Sequence, residues 1–78
     1  MCDYNMPKAL DAFVKMGSNM TWRRSAYTDG KYAISVMGNE FDIVCDEFTD
    51  GYTLECSNYQ PDQTVLDTLH KCIVSNKN

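Results

Sequence analysis

Three glycine-bearing pairs, Asp29-Gly30, Gly38-Asn39 and Asp50-Gly51, divide the middle of the chain into runs of aromatic and β-branched residues. Glycine enters positive φ without a Cβ penalty, which is what a two-residue hairpin turn demands. The spacing predicts four strands in an antiparallel meander, at about 20–28, 31–37, 40–48 and 52–58. Strict alternation sets their faces: Tyr32, Ile34 and Val36 share one side, as do Phe41, Ile43 and Cys45, and Leu54 with Cys56. A two-residue turn at Asp50-Gly51 would put Cys45 opposite Cys56 on the buried side, and Asp46 opposite Glu55 on the other. With Trp22 and Ala26 inward, Arg24 shares their side, and from an edge strand its guanidinium can snorkel out to water.

The flanks follow a different period. Met6, Leu10, Phe13 and Val14 form one apolar stripe with Lys8, Asp11 and Lys15 outside it, predicting a helix over about 6–16. Asn5 suits its N-cap, Pro7 its first turn and Gly17 a left-handed stop. Val65, Leu66, Leu69, Cys72 and Ile73 form a second stripe, with Asp67 and Lys71 an i, i+4 pair on the wet side, predicting a helix over about 61–74. Ser75-Asn76-Lys77-Asn78 is expected to fray. The order is α-β-β-β-β-α: one α+β domain over residues 1–78, a four-stranded meander with both helices on one face and the other face wet.

At 78 residues the chain buries a small core and has little room for a deep substrate cavity. No apolar stretch is long enough to span a bilayer. Met1-Cys2-Asp3-Tyr4-Asn5 lacks a basic region followed by an apolar run, so the expected location is the cytoplasm, of the producing cell or of an infected host. Cys2, Cys45, Cys56 and Cys72 are too widely spaced for a structural zinc site. Cys45, Cys56 and Cys72 are expected as small apolar fillers in a reduced environment.

Chemistry is sparse. There is no phosphate-binding glycine loop, no dinucleotide fingerprint and no H-E-x-x-H. The one histidine, His70, has Asp67 and Cys72 as neighbours in helical register. These three form the sole reactive set, available to a small enzyme or ligand-binding domain using a pocket between helices and sheet. No catalytic, cofactor or metal residue is assigned. The helix–strands–helix order resembles double-stranded RNA-binding domains in topology, yet those begin their last helix with lysines. Here that turn reads Gln60-Pro61-Asp62-Gln63, and Trp22-Arg23-Arg24 with Lys31 is too small a basic cluster to grip nucleic acid.

Charge is the informative feature. Residues 1–37 carry five cations (Lys8, Lys15, Arg23, Arg24, Lys31) against three acids. Residues 38–78 carry eight acids (Glu40, Asp42, Asp46, Glu47, Asp50, Glu55, Asp62, Asp67) against Lys71 and Lys77. Like charges opposed on a sheet destabilise it, so a cluster of them suggests a recognition surface, although acids also solubilise exposed faces and Lys31 could neutralise part of this one. The expected surface comprises Glu40, Asp42, Asp46, Glu47, Asp50 and Glu55, with Phe48, Tyr52 and Tyr59 as aromatic anchors and Tyr27 nearby. It would dock on a basic, nucleic-acid-binding surface of a larger protein, a nuclease or nucleoprotein complex, by placing carboxylates where phosphates sit. In size, charge and lack of catalytic residues the chain resembles phage-encoded inhibitors of host defence, anti-CRISPR proteins among them; no motif carries that likeness. A homo-oligomeric module pairing through an edge strand is the remaining alternative.

Overall fold

In the computed structural model, which describes residues 2–78, the chain runs α1 (Met6–Val14), β1 (Met20–Arg24), β2 (Lys31–Val36), β3 (Asn39–Val44), β4 (Thr53–Glu55) and α2 (Gln63–Val74). The strands form one open sheet in the order β1-β2-β3-β4, each antiparallel to its neighbour. This is the expected α+β arrangement. Met6, Ala9, Leu10 and Phe13 of α1 and Leu69, Cys72 and Ile73 of α2 share a single core with Ile34, Val36, Phe41 and Ile43 of the sheet. Burying each of the larger aliphatic or aromatic side chains stabilises the fold by about 1.5–3 kcal/mol. Trp22 lies on the core side opposite Ile34, edge-on to Tyr32, and its indole N–H donates to Asp11 Oδ1 at 2.8 Å. Arg24 on the same side remains exposed.

Element ends depart from expectation for local reasons. Asn5 caps α1, its Oδ1 accepting the Lys8 N–H at 3.3 Å, with Pro7 in the first turn. The helix stops at Val14, and it is Asn19, at φ 58°, rather than Gly17, that turns the chain into β1. Only one hairpin has a two-residue loop. Val36 pairs with Asn39, leaving Met37 and Gly38 at φ 54° and 84°, the signs of a type I′ turn, one position earlier than Gly38-Asn39.

The other two turns are longer. Residues 25–30 connect β1 to β2, with Ser25 Oγ accepting the N–H groups of Tyr27 and Thr28 at 3.3 and 3.2 Å. Residues 45–52 connect β3 to β4, because Asp46 folds back: its Oδ1 accepts the Phe48 N–H at 2.9 Å and the Thr49 hydroxyl at 2.8 Å, ending the strand. The β3–β4 register therefore slides, and Asp42, Ile43 and Val44 face Glu55, Leu54 and Thr53. Asp46 is not opposite Glu55, and Cys45 is not opposite Cys56.

Cys45 is instead joined to Cys2 by a disulfide, which overturns its assignment as a reduced filler; Cys56 and Cys72 are free. The bridge is possible because the first residues are pinned. Tyr4 pairs with Lys77, the Asn5 N–H donates to Asn76 O at 2.7 Å, and the Asn78 N–H donates to Asp3 O at 2.8 Å. The tail expected to fray is a short ribbon with residues 3–5.

Candidate functional site

The open face of the sheet carries Arg23 of β1, Lys31 and Ala33 of β2, Glu40 and Asp42 of β3 and Glu55 of β4, as alternation and register require. Its carboxylates are not bare. Arg23 meets Glu40 at 3.3 Å, and Lys31 lies between Glu55 at 3.1 Å and Asp42 at 3.7 Å. The lysine, held mainly by Glu55 and then by Asp42, has its pKa raised above the ordinary value. Two cations thus offset three acids, and the flat face is close to balanced. Lys31 thus neutralises part of the acidic cluster, at the Asp42–Glu55 pair. Glu40, Asp42 and Glu55 of the expected surface are all ion-paired within the protein.

The other acids expected at the site, Asp46, Glu47 and Asp50, lie beyond the end of β3, at one end of the sheet. The 25–30 and 45–52 loops stand side by side there, joined by the Cys45 N–H donating to Gly30 O at 2.8 Å. Between them opens a cleft of about 470 Å³ with Asp29, Asp46, Glu47 and Phe48 on its walls and the Cys2–Cys45 bridge beside them. Among the described residues none of these carboxylates has a lysine or arginine within ion-pair distance. Phe48 is 88% exposed on this rim. Asp50 is in the same loop and exposed.

Asp46 organises that loop as an anion. The Thr49 hydroxyl first, and the Phe48 N–H second, hold its carboxyl below the ordinary aspartate range. A carboxyl with a depressed folded pKa contributes order that is present above the unfolded pKa, about 3.9, and is lost as pH falls through the lower folded value. The Phe48 amide resonance should therefore titrate at lower pH in the wild type than in Thr49→Ala, as an NMR titration from pH 6 to 2 would show. Coincident curves would mean that the hydroxyl does not hold the carboxylate.

The remaining aromatic candidates are used elsewhere. Tyr52 stands edge-on to Tyr4, and its hydroxyl lies 2.7 Å from His70 Nδ1, on the helix side of the molecule; burial raises its pKa. Tyr59 packs against Phe41 at the core margin. Tyr27 is 98% exposed and borders the balanced face with Arg23 and Lys31. Cys2, Asp29 and Gly30, which the sequence did not single out for the site, line the cleft; the Asp29-Gly30 turn pair was the one signal that could have placed two of them.

His70, Asp67 and Cys72 do not form a reactive set. His70 engages Tyr52, while Asp67 accepts Gln63 Nε2–H at 2.8 Å instead of pairing with Lys71. Cys72 is buried with its thiol 3.5 Å from Met16 Sδ, and burial pushes its pKa up, away from thiolate reactivity. Among the described residues no group of three histidine, cysteine or acidic side chains is placed to hold a metal ion. Among the described residues no helix is long and apolar enough to cross a membrane.

No family model, curated protein or solved structure matches this chain. What the cleft can do follows from its own chemistry. It offers fixed negative charge and one exposed aromatic ring, which together suit a cationic, partly apolar surface.

Proposed function

We propose that this protein is a non-enzymatic binding module that inhibits a larger protein by docking the acidic loop end of its sheet on a basic surface. The observation that carries the reading is Phe48, 88% exposed beside the carboxylates of Asp29, Asp46 and Glu47, none of which meets a lysine or arginine among the described residues. A protruding ring supplies the apolar anchor and the carboxylates supply steering and register. The basic surface is of the kind that holds nucleic-acid phosphates in a nuclease or nucleoprotein complex, and occupying it would exclude the nucleic acid. The parallel with phage-encoded anti-defence proteins, anti-CRISPR inhibitors included, rests on size, charge and the missing catalytic motif.

The contact is narrower than the sequence suggests: Asp46, Glu47, Asp50 and Phe48 belong to it, whereas Glu40, Asp42 and Glu55 hold the protein's own cations. A cytoplasmic site of action fits such a target. A reducing cytoplasm would, however, tend to open the Cys2–Cys45 bridge, so cytoplasm and oxidising compartments offer the partner two forms of this molecule.

The test is affinity capture from a host lysate at low and high salt, with wild type beside Asp29→Lys/Glu47→Lys/Phe48→Ala. Asp46 is left alone because it caps its own loop. The wild type should retain a basic, nucleic-acid-binding protein that is released as salt rises, and the triple variant should retain about tenfold less at unchanged circular dichroism. Equal retention by both chains would remove the loop end as the contact.

A further inference from the structure

We propose that the Cys2–Cys45 disulfide is a redox clasp on the acidic cleft: oxidised, it holds the 45–52 loop in its binding shape, and reduced, it lets that wall of the cleft loosen. The inference rests on the binding reading above and assigns that site its regulation.

Three observations converge on it. Cys45 is the first residue after β3, so the bridge fastens the root of the loop that carries Asp46, Glu47 and Phe48. Between that root and Tyr52, which is docked on Tyr4 and His70 at the far end, the loop has little else to hold it. Glu47, Phe48 and Asp50 are exposed, and the Asp46 hydrogen bonds to Phe48 and Thr49 are internal to the loop. The nearest tie to the rest of the sheet is the Cys45 N–H to Gly30 O bond, at the same residue. Finally, the bridge borders the cleft. Both cysteines line it, and Cys2 is the more exposed residue, half-buried against 1% exposed for Cys45. A reductant reaches the bridge from the binding site itself.

Opening is an ordinary exchange with a protein or small-molecule dithiol. A thiolate of the reductant attacks Cys2 Sγ, forming a mixed disulfide while Cys45 leaves as a thiolate and takes up a proton. The second thiol of the reductant then displaces Cys2, which is protonated in turn. The bridge gains two electrons and two protons, and the dithiol becomes a disulfide. Residues 3–5 stay paired with 76–78 through backbone hydrogen bonds, so the segment bearing Cys2 keeps its footing and the bridge can re-form. A bound partner would cover Cys2, so binding should also protect the bridge from reduction, as linkage requires.

The experiment compares the oxidised chain, the same chain in excess dithiothreitol, and Cys2→Ala/Cys45→Val, whose valine keeps position 45 apolar. Hydrogen exchange of the Phe48 and Thr49 amides reads the loop, and fluorescence anisotropy with an arginine-rich peptide reads binding. Reduction should speed exchange at both amides about tenfold and weaken peptide affinity at least about fivefold, reversibly on reoxidation; the double variant should behave as the reduced chain at either redox state. Equal affinity of the oxidised and reduced chains, or tighter binding by the reduced one, overturns the clasp. So does global unfolding of both the reduced chain and the double variant by circular dichroism, since the bridge would then be a general staple. An oxidised chain that ignores the peptide counts against the binding reading instead, and unchanged exchange on reduction would then also reject the clasp.

Discussion

Replacing Cys2 and Cys45 together with serine is expected to lower stability by about 4 kcal/mol and the melting midpoint by roughly 15–30 °C for a domain of this size. The bridge joins residues 43 positions apart, so removing it restores a large share of the unfolded chain's freedom. Serine adds a second cost, because position 45 is buried and its hydroxyl would need a partner there. Cys2→Ala/Cys45→Val removes that second term and should recover part of the loss. Thermal melts followed by circular dichroism, with and without reductant, check both points. A wild type that melts at the same temperature in either condition would show that the bridge contributes nothing to the folded state.

Gly30→Ala is expected to cost about 2–4 kcal/mol, while Gly38→Ala costs about 1 kcal/mol. Both glycines have positive φ, 80° and 84°, so both substitutions suffer the left-handed penalty. They differ in surroundings. A Cβ on Gly30 would lie 2.6 Å from Cys45 O and 3.0 Å from Asp46 Cβ, whereas one on Gly38 meets nothing within 4 Å. The excess at Gly30 therefore measures how tightly the two loops of the cleft are pressed together. Denaturant midpoints of the two variants decide it, and equal losses would mean the loops can part freely. Since Gly30 O accepts from Cys45, the Gly30 variant should also weaken the arginine-rich peptide contact while Gly38→Ala leaves it unchanged.

The scaffold was legible in the sequence because periodicity reports which side chains face inward. Met6, Leu10 and Phe13 at helical spacing, and Ile34 with Val36 or Phe41 with Ile43 at strand spacing, had only one way to reach a common interior. The site was less legible because two local turn signals competed in the 45–52 segment. Asp50-Gly51 favours a tight hairpin, but Asp46 captures the Phe48 N–H and Thr49 hydroxyl first, and the chain bulges into a loop. That single side chain moves Glu55 beside Asp42 and carries Asp46 off the sheet face. Lys31 beside Asp42 and Glu55, and Arg23 beside Glu40, follow from alternation once the register is known, and not before. The disulfide had no local signature, because cysteine spacing does not disclose which sulfurs a fold brings together.

Pairing of residues 3–5 with 76–78 has a practical corollary for anyone handling the molecule. Cys2 is in the cleft wall, and the Asn78 side-chain amide reaches Cys2 O at 3.4 Å, so a dye or surface tether attached at residue 3 or residue 78 would stand close to the rim meant to touch the target. The Met37-Gly38 turn is at the opposite pole of β2 and β3 and has free space around it. A reporter inserted there would watch the docking end from behind without shading it.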